Sequence, residues 1–377
     1  MNGTAPARAP DLRHLRRMSD ARGLFEHARL DQPRPECGYC TDDAGRALAL
    51  ACRLPADPDA EKLAAVTLEF LERAHVANGR FRLRLGADGR WMPDTPSDDA
   101  AGRALFGLGV AAAVAPWADV RDRAAVLFDA AVGFRSSWAR ANAYATLGAV
   151  EVLQADPSHR GARRLVIDAA NRLPTVELTE SWRWPEPRLT YANALLPDAA
   201  LAAAVALGRA ELAARALELL DWLVERETLH GRFSFAPVGG RGPGGRQPSF
   251  DQQPIEAWAM ADACSRALAC TGHQNWADSL SRAGSWFLGQ NDTGAVMFDP
   301  ATGGGFDGLR REGVNRNQGA ESTLAFVATM LQIASISKGL LNGPPSTDGR
   351  AVQAAAKAPR RWETDAVAAP TQWSAAP

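Results

Sequence analysis

Six short stretches of the sequence hold carboxylates, amides or arginines, and each leads directly into an apolar run. Polar groups of this kind are costly to bury, so they face either water or a ligand that replaces water. Groups of carboxylates near one another are also the usual agents of acid and base catalysis. The stretches are TDDAGRAL (41–48), SDDAAGRAL (97–105), WARANAY (138–144), TYANALL (190–196), DQQPIEAW (251–258) and GVNRNQGAESTLAF (313–326).

Two glutamates are the strongest candidates for a proton donor. Glu186 lies between two prolines in a tryptophan-rich segment, and Glu321 lies about one turn into an apolar run. We expect both to be buried, and burial of a carboxyl raises its pKa, as a general acid requires. Asp43 and Asp99 begin other apolar runs and are the candidates for a base. The predicted catalytic residues are therefore Glu321, Glu186, Asp43 and Asp99.

The same stretches hold the groups that a sugar site needs. Carboxylates and amides bind hydroxyls, and flat aromatic faces stack on sugar rings. All three tyrosines of the chain lie in or beside one of the stretches. The predicted substrate-binding residues are Tyr39, Asp42, Arg46, Trp91, Asp98, Arg103, Asn142, Trp184, Tyr191, Asn193, Asp251, Gln252, Gln253, Asn317 and Gln318.

Each of these residue types also has a structural explanation. Aspartates in a first helical turn, such as Asp42 and Asp98, usually cap the helix or interact with its dipole. Adjacent residues on a helix point about 100° apart, so only one member of each Asp pair can reach a given pocket. Asn142 and Asn193 could satisfy neighbouring backbone groups instead. Tryptophans such as Trp138 and Trp258 are more often packing residues in helical proteins.

The elements that position these residues are two kinds of helix. Apolar runs follow the polar stretches, for example residues 104–115, 195–207 and 322–334, and helices of that composition are surrounded by protein. Amphipathic runs lie between them, at 60–79, 117–133, 159–173, 209–228 and 275–289. The polar stretches recur at a loose, unequal spacing, which favours a closed (α/α)6 toroid over an open helical solenoid. We predict an all-α toroid with short β-hairpin loops on the active-site face, where the polar stretches meet.

The composition of the chain excludes several classes of binding partner. Forty-two basic and 43 acidic residues give a net charge of −1, so nucleic acid is not an expected partner. The sequence contains no membrane-spanning run and no secretion signal, so we expect a cytoplasmic protein. Cys37 and Cys40 have zinc spacing, but no second pair follows, and we predict no metal and no cofactor. The predicted toroid covers residues 11–340, with flexible ends at 1–10 and 341–377.

Four segments resemble a bacterial family of six-hairpin proteins, described as glycosidase-like or glycosyltransferase-like and associated with mannose-containing glycans. The resemblance covers roughly residues 10–340 and rests on the segments at 14–50, 97–109, 182–199 and 313–326. It implies sugar chemistry on an (α/α)6 fold. The family commonly has Tyr-Asp-Asn where this chain has Tyr191-Ala192-Asn193. Because that aspartate is absent here, the catalytic role is expected of Glu186, Asp43, Asp99 and Glu321.

Several reactions fit a toroid of this kind. Inverting glycoside hydrolysis of an oligosaccharide needs two carboxyl groups about 6.5–9.5 Å apart, which suits groups on different inner helices, and it is the first choice. A sugar epimerase would need histidines at the pocket, and none of the six lies in a polar stretch. A polysaccharide lyase using Tyr191 or Tyr144, a phosphorylase using Arg46, Arg103 or Arg316, and a non-catalytic glycan-binding partner of a glycosyltransferase stay open.

Overall fold

A computed structural model describes residues 11–93, 97–172 and 182–337. The predicted ends, residues 1–10 and 341–377, lie outside the described residues. The helices in chain order are α1 (Arg13–Arg17), α2 (Thr41–Arg53), α3 (Pro58–Ala74), α4 (Asp98–Val114), α5 (Ala118–Ala131), α6 (Ala139–Ala155), α7 (Arg160–Ala170), α8 (Leu195–Leu207), α9 (Ala210–Arg226), α10 (Pro254–Thr271), α11 (Gln274–Phe287) and α12 (Ala320–Ser337).

The even-numbered helices form a closed inner ring. Each packs against the next even-numbered helix, and α12 returns to pack against α2. The outer helices α3, α5, α7, α9 and α11 each pack against the inner helix that precedes them, and α1 packs against α12. This arrangement confirms the predicted (α/α)6 toroid. In the described part of the chain, no helix is long and apolar enough to cross a membrane.

Glycines let α2, α4 and α6 approach one another closely. A Cβ added to Gly45 of α2 would overlap the Arg103 carbonyl oxygen of α4. A Cβ added to Gly148 of α6 would likewise overlap the carbonyl oxygen of Leu105. Larger residues at these positions would push the backbones apart, because protein interiors are close-packed. The glycines therefore set the spacing of this side of the ring.

Helix starts are only partly those that the sequence indicates. Ser97 caps α4, because its hydroxyl accepts a hydrogen bond from the Ala100 amide at 3.3 Å. Thr41 belongs to α2 itself, and its hydroxyl donates to the Arg82 carbonyl oxygen. A tertiary contact thus takes the place of a local side-chain cap at this helix start.

Short antiparallel hairpins connect the helices. Asn78-Gly79 and His230-Gly231 each have positive φ at both positions, as the two-residue turns of tight hairpins require. These glycines therefore turn hairpins and do not end helices. The paired strands are β1 (Ser19–Asp20) with β2 (Gly23–Leu24), β3 (Ala28–Arg29) with β4 (Gln32–Pro33), β5 (Tyr39–Cys40) with β8 (Arg84–Leu85), β6 (His75–Val76) with β7 (Arg80–Phe81), β9 (Thr228–Leu229) with β10 (Arg232–Phe233), and β11 (Gly308–Arg310) with β12 (Gly313–Asn315).

Candidate active site

The first part of the candidate site joins α2 to α12. Arg46 donates to Asp43 at 2.6 Å and lies 2.9 Å from Glu321. Arg46 and Asp43 are buried, whereas the Glu321 side chain is 38% exposed. Glu321 is therefore not the buried acid that the sequence led us to expect. Burial instead raises the pKa of Asp43 to about 7.

The second part joins α2, α4 and the segment before α8. The Arg103 guanidinium lies 3.6 Å from Asp42 and 3.5 Å from Asp99, and it is buried while both carboxylates are partly exposed. The Tyr191 hydroxyl donates to Asp99. Asp99 therefore has a hydroxyl donor and a guanidinium beside it, and its side chain is 31% exposed.

The third part is centred on Arg140, in the first turn of α6. Its guanidinium binds both oxygens of Glu186, at 2.7 and 2.9 Å, and also donates to the Tyr191 carbonyl oxygen. It lies 4.9 Å from the centre of the Tyr191 ring. Because a two-pronged arginine contact fixes a carboxylate firmly, Glu186 mainly holds the segment before α8 in place.

Arginines and tyrosines link the three parts into one surface. Arg103 lies 4.8 Å from the ring centre of Tyr144 and 5.8 Å from that of Tyr191. Burial raises the pKa of Tyr144, whereas the neighbouring Arg103 and Arg46 charges act to lower it. The helix starts of α2, α4, α6 and α12 therefore share one end of the ring, as predicted. We call this surface the carboxylate rim, composed of Asp42, Asp99, Glu186, Glu321, Arg46, Arg103, Arg140, Tyr144 and Tyr191.

A buried pair of glutamates supports the rim from below, and the sequence analysis did not select it. Glu256, in the first turn of α10, accepts hydrogen bonds from the Ala192 amide at 2.5 Å and from the Asn193 amide at 3.2 Å. Glu227 accepts one from the Ala236 amide at 2.9 Å. Burial, together with the Glu227 charge, raises the pKa of Glu256 to about 8, and burial raises that of Glu227 to about 7. The first-turn position of Glu256, which matches that of Asp43 and Asp99, was the available signal.

Five of the six predicted amides bond other groups of the protein. Asn193 is buried between Arg140 and Glu256. Gln252 uses its amide group on Asp292, Ser249, Phe235 and Trp286. The remaining three tie loops to helix starts: Asn142 bonds Ser136 and Trp138, Asn317 bonds the Leu30 amide, and Gln318 bonds Thr302 and Asp299. Their expected role in binding hydroxyls is not supported.

The aromatic substrate-binding candidates also contact other residues of the protein. Tyr39 is buried and donates to Asp20, and Trp184 is buried against Trp222. Trp91 is partly buried against Phe70 and Arg82. All three therefore pack inside the protein. Trp258 is buried as a packing residue, but Trp138 is 68% exposed, contrary to the packing role favoured by its type.

Three further candidates lie apart from the rim contacts. Asp98 accepts a hydrogen bond from the Ser136 hydroxyl at 2.6 Å, on the outer side of the first turn of α4. Asp251 lies 3.7 Å from Arg310, and about half of its side chain is exposed. Gln253 is partly buried immediately before α10. These residues are available at the surface but are not joined to the Arg46, Arg103 or Arg140 clusters by any described contact.

Across the described ranges, no group of three or more His, Cys, Asp or Glu side chains is placed to hold a metal ion. Two of the histidines have contacts away from the rim: His14 contacts the Gln318 carbonyl oxygen, and His159 contacts Asp129 on the outer layer. The rim is thus equipped with carboxylates, arginines and phenols.

Comparison with solved structures identifies the fold. A sugar epimerase from a ruminal bacterium matches at a TM-score of 0.65 and 11% identity, over 86% of this chain and 94% of that one. Cellobiose 2-epimerase from Bacillus thermoamylovorans matches at 0.64 and 11%, over 86% and 95%. The cellulase Cel9M of C. cellulolyticium in complex with cellobiose matches at 0.57 and 10%, over 84% and 88%. The chain has the fold of carbohydrate-active enzymes.

Sequence comparison adds no closer relationship. No family model matches the chain, and no curated protein sequence matches it. Because the structural neighbours include both epimerases and hydrolases, the shared six-hairpin (α/α)6 fold does not select a reaction. The choice among reactions depends on the rim itself.

Proposed function

We propose that the protein is an inverting glycoside hydrolase that cleaves an oligosaccharide at the carboxylate rim. Glu321 is the general acid and Asp99 the general base. The observation that carries the proposal is that partly exposed carboxylates from different inner helices are held at one end of the ring by buried arginines. The resemblance in sequence suggests a mannose-containing substrate.

The placement of the two carboxylates suits inversion. Glu321 is on α12 and Asp99 is on α4, and these helices pack on either side of α2. Packed helices lie about 8–10 Å apart, so the axes of helices that flank a third are roughly 14–17 Å apart. The proposal requires the two side chains to approach until their carboxyl groups are roughly 6.5–9.5 Å apart, the spacing that leaves room for a water molecule in inverting enzymes.

The surroundings of each carboxylate suit its role. Arg46 contacts both Asp43 and Glu321, so one guanidinium binds two carboxylates, and burial raises the pKa of Asp43 to about 7. Glu321, the more exposed of the two, donates a proton to the glycosidic oxygen. Asp99, held by Tyr191 and Arg103, removes a proton from the water that attacks the anomeric carbon. The products are an alcohol and a hemiacetal of inverted configuration.

The competing reactions have weaker support. A lyase would need a tyrosinate, but burial and the Asp99 hydrogen bond raise the pKa of Tyr191. Phosphate binding would need free guanidinium groups, yet Arg46 and Arg103 already contact carboxylates. A purely binding protein would present amides and aromatic faces, whereas five of the six predicted amides are used internally. These observations favour hydrolysis.

The proposal is tested with the purified full chain and a panel of aryl glycosides and manno-oligosaccharides. We expect hydrolysis with inversion. NMR of the anomeric protons measures the configuration of the product that is formed first. Glu321→Gln and Asp99→Asn should each lower kcat by about 10²- to 10⁴-fold, the usual contribution of a general acid or base. Glu312→Gln, an exposed glutamate in the turn between β11 and β12, is the matched control and should be unaffected.

Two results would refute the assignment. Full activity in both Glu321→Gln and Asp99→Asn would remove these residues from catalysis. Tight binding of oligosaccharides without any product from the wild-type protein would identify a glycan-binding protein instead.

A further inference from the structure

A second cavity lies on the outer side of the first turn of α4. Its volume is about 610 Å³, within the range of about 300–1,000 Å³ that is typical of ligand sites. Its wall includes Asp98, Ser137 and, from the hairpin β6–β7, Asn78 and Arg80. These side chains offer a carboxylate, a hydroxyl, an amide and a guanidinium, which can all bind sugar hydroxyls.

This cavity adjoins the carboxylate rim. Asp98 and Asp99 are consecutive residues of α4, so their Cα atoms are about 3.8 Å apart and their side chains point about 100° apart. Asp99 contacts Tyr191 and Arg103 of the rim, whereas Asp98 contacts Ser136 in the cavity wall. The cavity and the carboxylate rim therefore lie on different sides of the same helical turn.

The residue that follows the cavity wall along the chain is an exposed tryptophan. Trp138 directly follows Ser137, and its backbone amide donates to the Ser136 hydroxyl at 2.9 Å. It is the one tryptophan in the exposed class within residues 11–93, 97–172 and 182–337. The backbone below it is fixed, because Asn142 donates to the Trp138 carbonyl oxygen at 3.1 Å. Trp138 is 68% exposed, and its ring has no stacking partner among the described residues.

We propose that this cavity and the Trp138 ring form an accessory subsite for a further sugar residue of the same substrate chain. The ring would stack on an apolar sugar face while Asn78, Ser137 and Asp98 bind its hydroxyls. This inference rests on the proposed function and makes it more specific, since it requires a substrate of several sugar units that extends from the rim across α4.

The subsite is tested by chain-length dependence. For the wild-type protein, kcat/KM should rise between a simple aryl glycoside and oligosaccharides of up to six units. Trp138→Ala should lower the ratio of long-substrate to short-substrate kcat/KM by about tenfold, and Trp138→Phe should restore part of it. Val126→Ala removes a similarly exposed side chain (72%) from the outer helix α5 and should leave the ratio unchanged.

A binding arm separates this inference from the hydrolysis proposal. Calorimetric titration of Glu321→Gln protein with manno-, gluco- and xylo-oligosaccharides should show affinity that increases with chain length, and adding Trp138→Ala should remove that increase. Length-dependent binding lost with Trp138, without hydrolysis by the wild type, would support the subsite and refute the hydrolase. Hydrolysis with the same length ratio in Trp138→Ala and Val126→Ala, or binding to none of these oligosaccharides, would overturn the subsite.

Discussion

Glu227 is expected to make the protein less stable as pH rises, and Glu227→Gln should remove that loss. Glu227 and Glu256 are both buried, and the negative charge of Glu227 disfavours ionisation of Glu256. Glutamine has the same shape, and its side-chain oxygen can still accept the hydrogen bond from the Ala236 amide. The substitution therefore removes a titrating group while keeping the local contact.

The size of the effect follows from the pKa of Glu227. Burial raises this pKa from the ordinary value of 4.5 to about 7. A raised carboxyl pKa means that the folded protein holds a proton that the unfolded chain has released. Its favourable contribution is complete below about pH 4.5 and is lost as pH rises through about 7. At about 1.36 kcal/mol for each pKa unit, the loss above pH 7 is about 3 kcal/mol.

The assay is urea unfolding of wild type and Glu227→Gln between pH 5 and pH 9, followed by circular dichroism. Contributions from groups other than Glu256 largely cancel in the difference between the two proteins. Glu256 adds to the gain, because removing the Glu227 charge also lowers the pKa of Glu256. Relative to that difference at pH 5, Glu227→Gln should gain about 3 kcal/mol in unfolding free energy by pH 9. Glu225→Gln, an exposed neighbour, should show no such gain. A pH-independent difference, or a relative loss for Glu227→Gln at high pH, would refute the buried-pair explanation.

Two further substitutions test the framework of the rim. Arg140→Met should lower the free energy of unfolding by about 3–5 kcal/mol, because it leaves the Glu186 carboxylate without its two-pronged partner; urea unfolding measures this, and a loss below 1 kcal/mol would contradict the role given to Arg140. Gly148→Ala should cost about 1–3 kcal/mol, since the added methyl overlaps the Leu105 carbonyl oxygen, whereas Gly133→Ala, with open space around the new carbon, is the control; equal thermal unfolding midpoints for the two would disprove the close-packing argument.

Much of the architecture could be predicted because it depends on repeated local patterns. Apolar runs such as 104–115 can only be satisfied by protein on all sides, and amphipathic runs such as 117–133 can only lie at a surface. Alternation of the two kinds requires an inner and an outer layer. The polar helix starts also had to share one end of the ring, because consecutive inner helices run in the same direction.

The roles of individual side chains were less predictable. Gln318 and Glu321 belong to the same polar stretch, yet Gln318 is buried against Thr302 while Glu321 remains exposed on Arg46. Composition gives no information on which residue meets a distant loop. Residue types and spacing consequently overstate the role of the amides in substrate binding. They also do not point to Arg140 or Glu256, whose partners lie 46 and 64 residues away.

The sequence by itself therefore determined the layers of this protein and the end at which its polar groups collect, since hydrophobic periodicity acts over one helix. Only the tertiary structure decided that Asp43 is buried while Asp99 is exposed, and that Trp138 faces outward. The physical reason is that burial and charge pairing depend on neighbours brought together by ring closure, which residue types and spacing do not specify.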